Sequence, residues 1–365
     1  MLEVRSISCL ILLLTFISSC TAQSRNPPSW IPKPSPCGLH GRIEALCGAH
    51  HPEDIEPTPD GKYLIVTAFL DEHPTGPIGG GIDLFDLRMK TFRKMHITDE
   101  PDKSWGDPSC PGPVDGALVS HGESLARRSD GKWALYVVNH ALRESIEMFE
   151  LTRVSGQWSL IWRGCEVGAH AYNDVAILPG GGFVGTQPMA LLRAGEKVSR
   201  DSGDIGYVAR WTPGGGESEI TSTRMRFANG VLVSPDGQFM YVNEFLAGHV
   251  LKFNLKNGTL IGSTNVSFLP DNLTWTPQGT LLSAGIKGGP NEDCPKASNR
   301  PCTLSFGIVE IDPATMQINR EYDSESRHLI VEGVTVAPQV RDDLYLGSFM
   351  SDRLVRIPVS YLASH

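Results

Sequence analysis

Helical signal is scarce in this chain. Outside the N-terminus no apolar stretch keeps helical periodicity, which leaves many short strands as the way to bury a core. Positive charge is in deficit as well: 32 Lys and Arg stand against 41 Asp and Glu, a formal net charge of −9 with pI near 5.7. A nucleic-acid partner, whose phosphates want a basic face, is therefore not expected, and a divalent cation is the more natural guest. No Cys-x-x-Cys pair is present, which argues against zinc and dithiol redox motifs. The glycine runs at Gly79, Gly180 and Gly214 lack a following Gly-Lys-Ser/Thr and read as turns. Gly122-Glu123-Ser124-Leu125-Ala126 lacks the last glycine of a nucleophile elbow, and His50-His51 is not at metal spacing.

Turn chemistry, by contrast, is abundant: 38 Gly and 26 Pro in 365 residues. In residues 227–244 a polar pair, an apolar run, Pro235-Asp236-Gly237 and a second apolar run follow one another, which reads as a β-hairpin with Asn229 at the start of its first strand. The module recurs. Glu53-Asp54 precedes Pro59-Asp60-Gly61, Asn173-Asp174 precedes Pro179-Gly180, Asp271-Asn272 precedes Pro277-Gln278-Gly279, and Glu332-Gly333 precedes Pro338-Gln339. In each, the first polar residue lies seven before the third position of the turn. A sixth copy, before Ser129-Asp130-Gly131, keeps that register with Glu123 and places His121 two residues earlier on the same strand face. Six copies predict an all-β, six-bladed β-propeller with a central tunnel, one four-stranded blade per copy.

At the N-terminus, Arg5, an apolar run over 7–17 and small residues before Cys20 read as a signal peptide over 1–23, too short to span a bilayer. Ile17-Ser18-Ser19-Cys20 resembles a bacterial lipobox, in which Cys20 carries the lipid and is the only membrane attachment; the alternative is an ordinary cut near Ala22-Gln23. Export to the periplasm or beyond follows from either. Residues 24–45 read as a Pro-rich linker or arm and 46–365 as the propeller. An oxidising compartment turns the six remaining cysteines toward disulfides. Spacing favours Cys294–Cys302 and Cys37–Cys47, which leaves Cys110–Cys165 by elimination, one of fifteen possible pairings. Three segments break the hairpin rhythm, at 98–115, 187–207 (with a helix-compatible piece at 189–197) and 287–305, and are expected as loops beside the strand ends.

The first strand of each blade in a propeller lines the axis, so equivalent residues face one another across the tunnel. Glu53, Asn173, Asn229 and Asp271, with Asn272 beside it, would bring two carboxylates and three amide oxygens together. Each buried polar group left unpaired costs about 1–3 kcal/mol, so a bound cation resolves the cluster. Oxygen ligands without Cys or His suit Ca2+ better than zinc. A second site could use Asp54, Asp174 and a backbone carbonyl from the Glu123 strand. Glu332 reads equally well as a further ligand or as a solvated carboxylate.

Glu53-Asp54, His121-Gly122, the run from Tyr136 through Asn139-His140, Asn173-Asp174, Phe227-Ala228-Asn229-Gly230 with Ser234-Pro235-Asp236-Gly237, and Asp271-Asn272 occur in an order that resembles the paraoxonase (arylesterase and lactonase) family over nearly the whole mature chain. The resemblance implies a propeller with two calcium ions: a catalytic one held by Glu53, Asn173, Asn229, Asp271 and Asn272, and a structural one held by Asp54, Asp174 and the backbone carbonyl of Glu123. It makes His121 and His140 a histidine dyad and implies hydrolysis of small lactones or aryl esters. His121 then takes a proton from water while His140 orients it, with Glu53 as a possible substitute base. The chain departs from the family in two places. Residues 355–365 hold no cysteine to pair with Cys47, and Glu123 stands where the family usually has an apolar residue. Two other readings fit the same register: a sugar lactonase resembling the gluconolactonase (senescence marker protein) propellers, and a non-enzymatic propeller that uses calcium only for stability.

Overall fold

The second strand of each hairpin is apolar on both faces, and successive side chains go to opposite neighbours. In Tyr63–Ala68, Leu64 and Val66 pack with Tyr345 and Leu354, whereas Ile65 packs with Leu135 and Val137. In Trp133–Asn139 those same two residues face back toward Ile65, and Tyr136 and Val138 face forward to Val175, Phe183 and Trp211. A strand buried on both sides reads as a continuous apolar run, and sheets built on such strands must be sandwiched between two others. Six apolar layers of this kind close a ring.

The computed structural model describes residues 35–69, 71–73, 76–78, 80–114, 118–287, 305–324, 330–331 and 333–364. The signal segment, Cys20, the Cys294–Cys302 pair and Glu332 lie outside the described residues. The fold is a six-bladed β-propeller with no α-helix among the described residues. The first strands of the blades are Pro52–Pro57, Ser120–Arg127, Val175–Ile177, Ala228–Val233, Leu269–Trp275 and Gln339–Val340; each begins an antiparallel run of strands, and in blade 2 Ile97–Asp99 adds outside, parallel to Gln157–Val167. The first strands of blades 1 to 5 touch in succession, as an axial bundle requires. The hairpin around Asp236-Gly237 joins Ala228–Val233 to Phe239–Glu244, with Gly237 at φ 68.

Closure of the ring moves a boundary. Ile43–Cys47 pairs with Arg353–Pro358, and Gly38–His40 adds outside it, so residues 38–45 belong to the sixth blade rather than to the arm. Glu44 fastens the joint, accepting from Arg356 Nε at 3.0 Å and from Lys90 Nζ at 2.5 Å. Cys37–Cys47 and Cys110–Cys165 are both formed. The first staples the closing strands; the second pins the 98–115 segment to the flank of blade 2, where Trp105 is buried beneath the Arg128 guanidinium. The 189–197 piece is not helical: it runs through turns, with Gly195 at φ 86.

Candidate metal centre and histidine pair

Four first strands carry a β-bulge at the same level. Register skips between Pro52 and Ile55, Ser120 and Glu123, Ala228 and Val231, and Pro270 and Leu273. A bulge sets two residues against one and re-aims their side chains. The bulged pairs are Glu53-Asp54, His121-Gly122, Asn229-Gly230 and Asp271-Asn272. In blade 3, Asn173-Asp174 sits just before the strand, bonded to Thr186 through Asn173 N at 2.8 Å and Asp174 O at 3.0 Å.

Two register assignments change. In blade 2 the in-register residue is His121, not Glu123, because that first strand runs eight residues against six in blade 1 and counting back from the turn stops two short. In blade 6 the turn falls at Arg341 (φ 57) rather than at Pro338-Gln339, since Gln339 and Val340 are paired to Leu344 and Asp343. Thr335 is what reaches the ring there: its hydroxyl donates to Glu53 O at 2.5 Å, and its carbonyl accepts from Asn272 N at 2.9 Å.

Residues of the pairs in blades 2 and 5 meet at Glu53, and the pairs of blades 4 and 5 meet at Asp271. Asn272 Nδ2 donates to Glu53 Oε1 at 2.8 Å, the Asn229 side chain hydrogen-bonds Asp271, and His121 Nε2 lies 3.7 Å from Glu53 Oε1. All five expected ligands of the first ion are buried. Four of them hold an enclosed oxygen with no hydrogen-bond partner: Glu53 Oε2, Asn173 Oδ1, Asn229 Oδ1 and Asn272 Oδ1. Burial, and then the charge of Asp271, hold Glu53 well above the usual carboxylate range; burial pushes Asp271 up to about 8. Among the described residues no three His, Cys, Asp or Glu side chains are gathered so as to hold a metal by themselves. A cation here would rely on the asparagine oxygens.

The second residues of the pairs stitch blades together. Asp54 accepts from Ile55 N at 2.8 Å and from Glu123 N, in the next blade, at 2.9 Å. Asp174 repeats this with Val175 N and Val231 N, both at 2.7 Å. Both inter-blade donors, Glu123 N and Val231 N, belong to the residue that directly follows a bulge. Blades 2 and 4 need glycine at this level: a Cβ on Gly122 would stand 2.6 Å from Asp174 Cα and 2.7 Å from Asn173 O, and one on Gly230 would stand 2.4 Å from Asp271 O. Gly230→Ala is therefore expected to destabilise the fold by about 3 kcal/mol, the upper end of overpacking costs, because backbone rather than a side chain must yield. Urea unfolding checks this, with Gly180→Ala, where a Cβ meets nothing within 4 Å, as the control.

Below the ring lies an acid that the sequence reading did not single out. Glu56, pushed by burial up to about 8, accepts from Leu125 N at 3.4 Å and adds its charge to those of Asp54 and Glu123. Glu123 is 4% exposed and neither of its carboxylate oxygens has a partner. Burial first, then neighbouring Asp54, raises it well above its ordinary value. Burial raises Asp54 to about 6 and lifts Asp174 further. Its place two residues beyond Asp54, inside a PEDIEP strand, was the available sign that Glu56 faces the same interior.

His121 and His140 are joined at 2.9 Å, Nδ1 to Nε2, and His140 Nδ1 lies 2.7 Å from Glu144 Oε2. The buried Asn139 shapes the loop that carries His140 and Glu144: its Oδ1 accepts from Val119 N and Ala141 N, and its Nδ2 donates to the carbonyls of Ala141 and Arg143. Phe69 covers the pair, 4.5 Å from the His121 ring and 6.2 Å from His140. Burial, and then the His140 ring, hold His121 well below the ordinary imidazole range. A groove of about 420 Å³ on the flank, lined by Ile82, Lys94, Met95, Phe149 and Trp162, contains none of these residues.

Residues 99–290, more than half of the chain, match the profile of the SMP-30/Gluconolactonase/LRE-like region family. Two solved structures share the fold. One is a gluconolactonase from Xanthomonas campestris, 15% identical, with 91% of this chain and 97% of that chain covered and a TM-score of 0.51. The other is a luciferin-regenerating enzyme, 12% identical, with 88% and 97% covered and a TM-score of 0.51. No curated protein matches.

Proposed function

Because this chain belongs to the SMP-30/gluconolactonase/LRE-like family, we propose that it is a calcium-dependent hydrolase of lactones or aryl esters, exported and of paraoxonase-like kind. One observation carries the reading: four buried oxygens, one each on Glu53, Asn173, Asn229 and Asn272 from blades 1, 3, 4 and 5, have no hydrogen-bond partner. Each costs about 1–3 kcal/mol if left so, and oxygen donors of mixed carboxylate and carboxamide type fit Ca2+. Glu53, Asn173, Asn229, Asp271 and Asn272 would hold that ion; Asp54, Asp174 and the Glu123 backbone carbonyl would hold a second. When bound, calcium supplies a Lewis acid that polarises the ester carbonyl and takes up the charge developing on its oxygen. The chain's own groups do the rest. His121 takes the proton of the attacking water, His140 orients His121, and Phe69 screens both rings from bulk water. The two disulfides support export, since such bonds persist in oxidising compartments.

The family name and the Xanthomonas campestris likeness favour a second reading, hydrolysis of a sugar lactone at the same tunnel. Rates on aryl acetates, aliphatic lactones and gluconolactone, measured with chelator and after calcium is restored, test both. Activity on none of them, or activity indifferent to chelation, sinks the hydrolase and leaves a binding propeller. Stability carries its own sign. Burial raises Asp54, Glu56 and Asp271 in the folded chain, so the metal-free protein is stabilised by their protonation and loses that stability as pH rises from about 4, the ordinary carboxylate value, toward 8. The melting temperature in chelator is expected to fall across that window, and calcium to restore most at its alkaline end. A flat profile in chelator counts against the acid cluster.

A further inference from the structure

Glu144 ends a line of two hydrogen bonds that points at the ring: Glu144 Oε2 to His140 Nδ1 at 2.7 Å and His140 Nε2 to His121 Nδ1 at 2.9 Å, with His121 Nε2 then 3.7 Å from Glu53 Oε1, beyond hydrogen-bond reach. We propose that Glu144 is a positioning residue that sets the tautomers of both imidazoles, so that His121 presents the lone pair of its Nε2 to the tunnel. The steps follow from donor and acceptor chemistry. An ionised carboxylate only accepts, so the proton on the His140 ring sits at Nδ1. A neutral His140 then has a bare Nε2, which can only accept. His121 must donate to it from Nδ1, which leaves its own Nε2 unprotonated on the side of Glu53. Both rings are thereby held in the Nδ1–H form, although the Nε2–H form predominates for a free neutral histidine in water.

The fixing of one end is what gives the line a direction. Without Glu144 the His140–His121 bond can run either way, and in the reverse sense His121 Nε2 carries the proton and faces the tunnel as a donor. The loop has other bonds that do not use the Glu144 side chain. Glu144 contributes its backbone carbonyl to Gly168 N at 3.0 Å, and Asn139 organises the neighbouring turn. Sequence reasoning passed over Glu144 because it lies in a loop outside the repeated hairpin register. This inference rests on the proposed reaction only for its kinetic consequence; the tautomers themselves are a property of the protein.

Long-range 1H–15N spectra of the imidazole nitrogens in the calcium-loaded full chain test it, at a pH where both rings are neutral. The expected result is protonated Nδ1 and unprotonated Nε2 in both rings, with both patterns altered in Glu144→Ala. On whichever ester or lactone the wild type turns over, Glu144→Ala is expected to lower kcat about 10- to 100-fold with KM little changed, as for other outer partners of a working histidine. Glu144→Gln, which can still accept through its carbonyl, should fall between. A protonated Nε2 on wild-type His121, ring signals unmoved in Glu144→Ala, or an unchanged kcat in that variant overturns the proposal. If no substrate is turned over, the function fails and the spectra alone decide the role of Glu144.

Discussion

Glu53→Gln is expected to abolish the stabilisation by calcium and to lower ester or lactone hydrolysis by about a thousandfold or more, while making the metal-free protein more stable. The opposite signs come from one geometry. Glu53 is 1% exposed; Oε1 is held by Asn272, and Oε2 has no partner. In the absence of a cation its charge is opposed by burial and by Asp271, Asp54 and Asp174, so a neutral side chain of the same shape relieves the site. With calcium, the same change removes one of the two charges that would hold the ion. Ligand at a thousand times its Kd stabilises a protein by about 4 kcal/mol. For a domain of this size that is a rise in Tm of roughly 5–8 °C, which wild type should show and Glu53→Gln should lack. Scanning calorimetry with chelator and with calcium separates the four states. A variant that still gains the full calcium increment, or that stays active, removes the first ion from the mechanism.

What could be read from the amino acids alone divides along a physical line. The hairpins were legible because Pro-Asp-Gly turns separate apolar runs that are buried on both faces, and the ring followed from their repetition. The closing strand Ile43–Cys47 was not, since its partner Arg353–Pro358 lies at the other end of the chain and nothing local marks the pairing. The bulges were equally silent, because an extra residue in a strand leaves composition and alternation nearly unchanged. Glu123 stood in the register that belongs to His121 for a different reason, the two extra residues of that strand. The sixth turn hid for a related reason: Arg341 adopts the left-handed conformation without the glycine that usually announces it. The register of Asn229 and Asp271 counts back from glycine turns without error; Thr335 and Glu144 were missed because one precedes a disguised turn and the other lies in a loop.

The bulge also explains why Glu123 departs from an apolar position. Its amide is fixed by Asp54 across the blade boundary, and its side chain enters a compartment already holding Asp54, Glu56 and Asp174. Among the described residues no Lys or Arg pairs with any of the four. Such a compartment is repulsive when ionised, and cations or protons must balance it. The pH dependence expected of the metal-free chain expresses that balance, and the two calcium ions proposed would replace it.

His121→Gln is expected to lower kcat by about 10²- to 10⁴-fold, the range a positioned general base supplies, while leaving the calcium increment in Tm intact. His121 shares the ring level with Glu53, Asn229 and Asp271 but meets it through Nε2, 3.7 Å from Glu53 Oε1, and its other nitrogen is committed to His140. Burial keeps it neutral, which a base requires. Glutamine preserves length and hydrogen-bonding capacity but takes up no proton, so the variant separates proton transfer from support of the site. Measured beside Glu53→Gln, it also separates the readings of function. Loss of aryl-ester and aliphatic-lactone turnover with the calcium increment kept supports the histidine pair. Sugar-lactone turnover that survives His121→Gln and fails in Glu53→Gln moves the chemistry to the gluconolactonase type, with a carboxylate in place of the imidazole. A lost calcium increment would make His121 part of the cation site, and no water-activating role could then be kept for it.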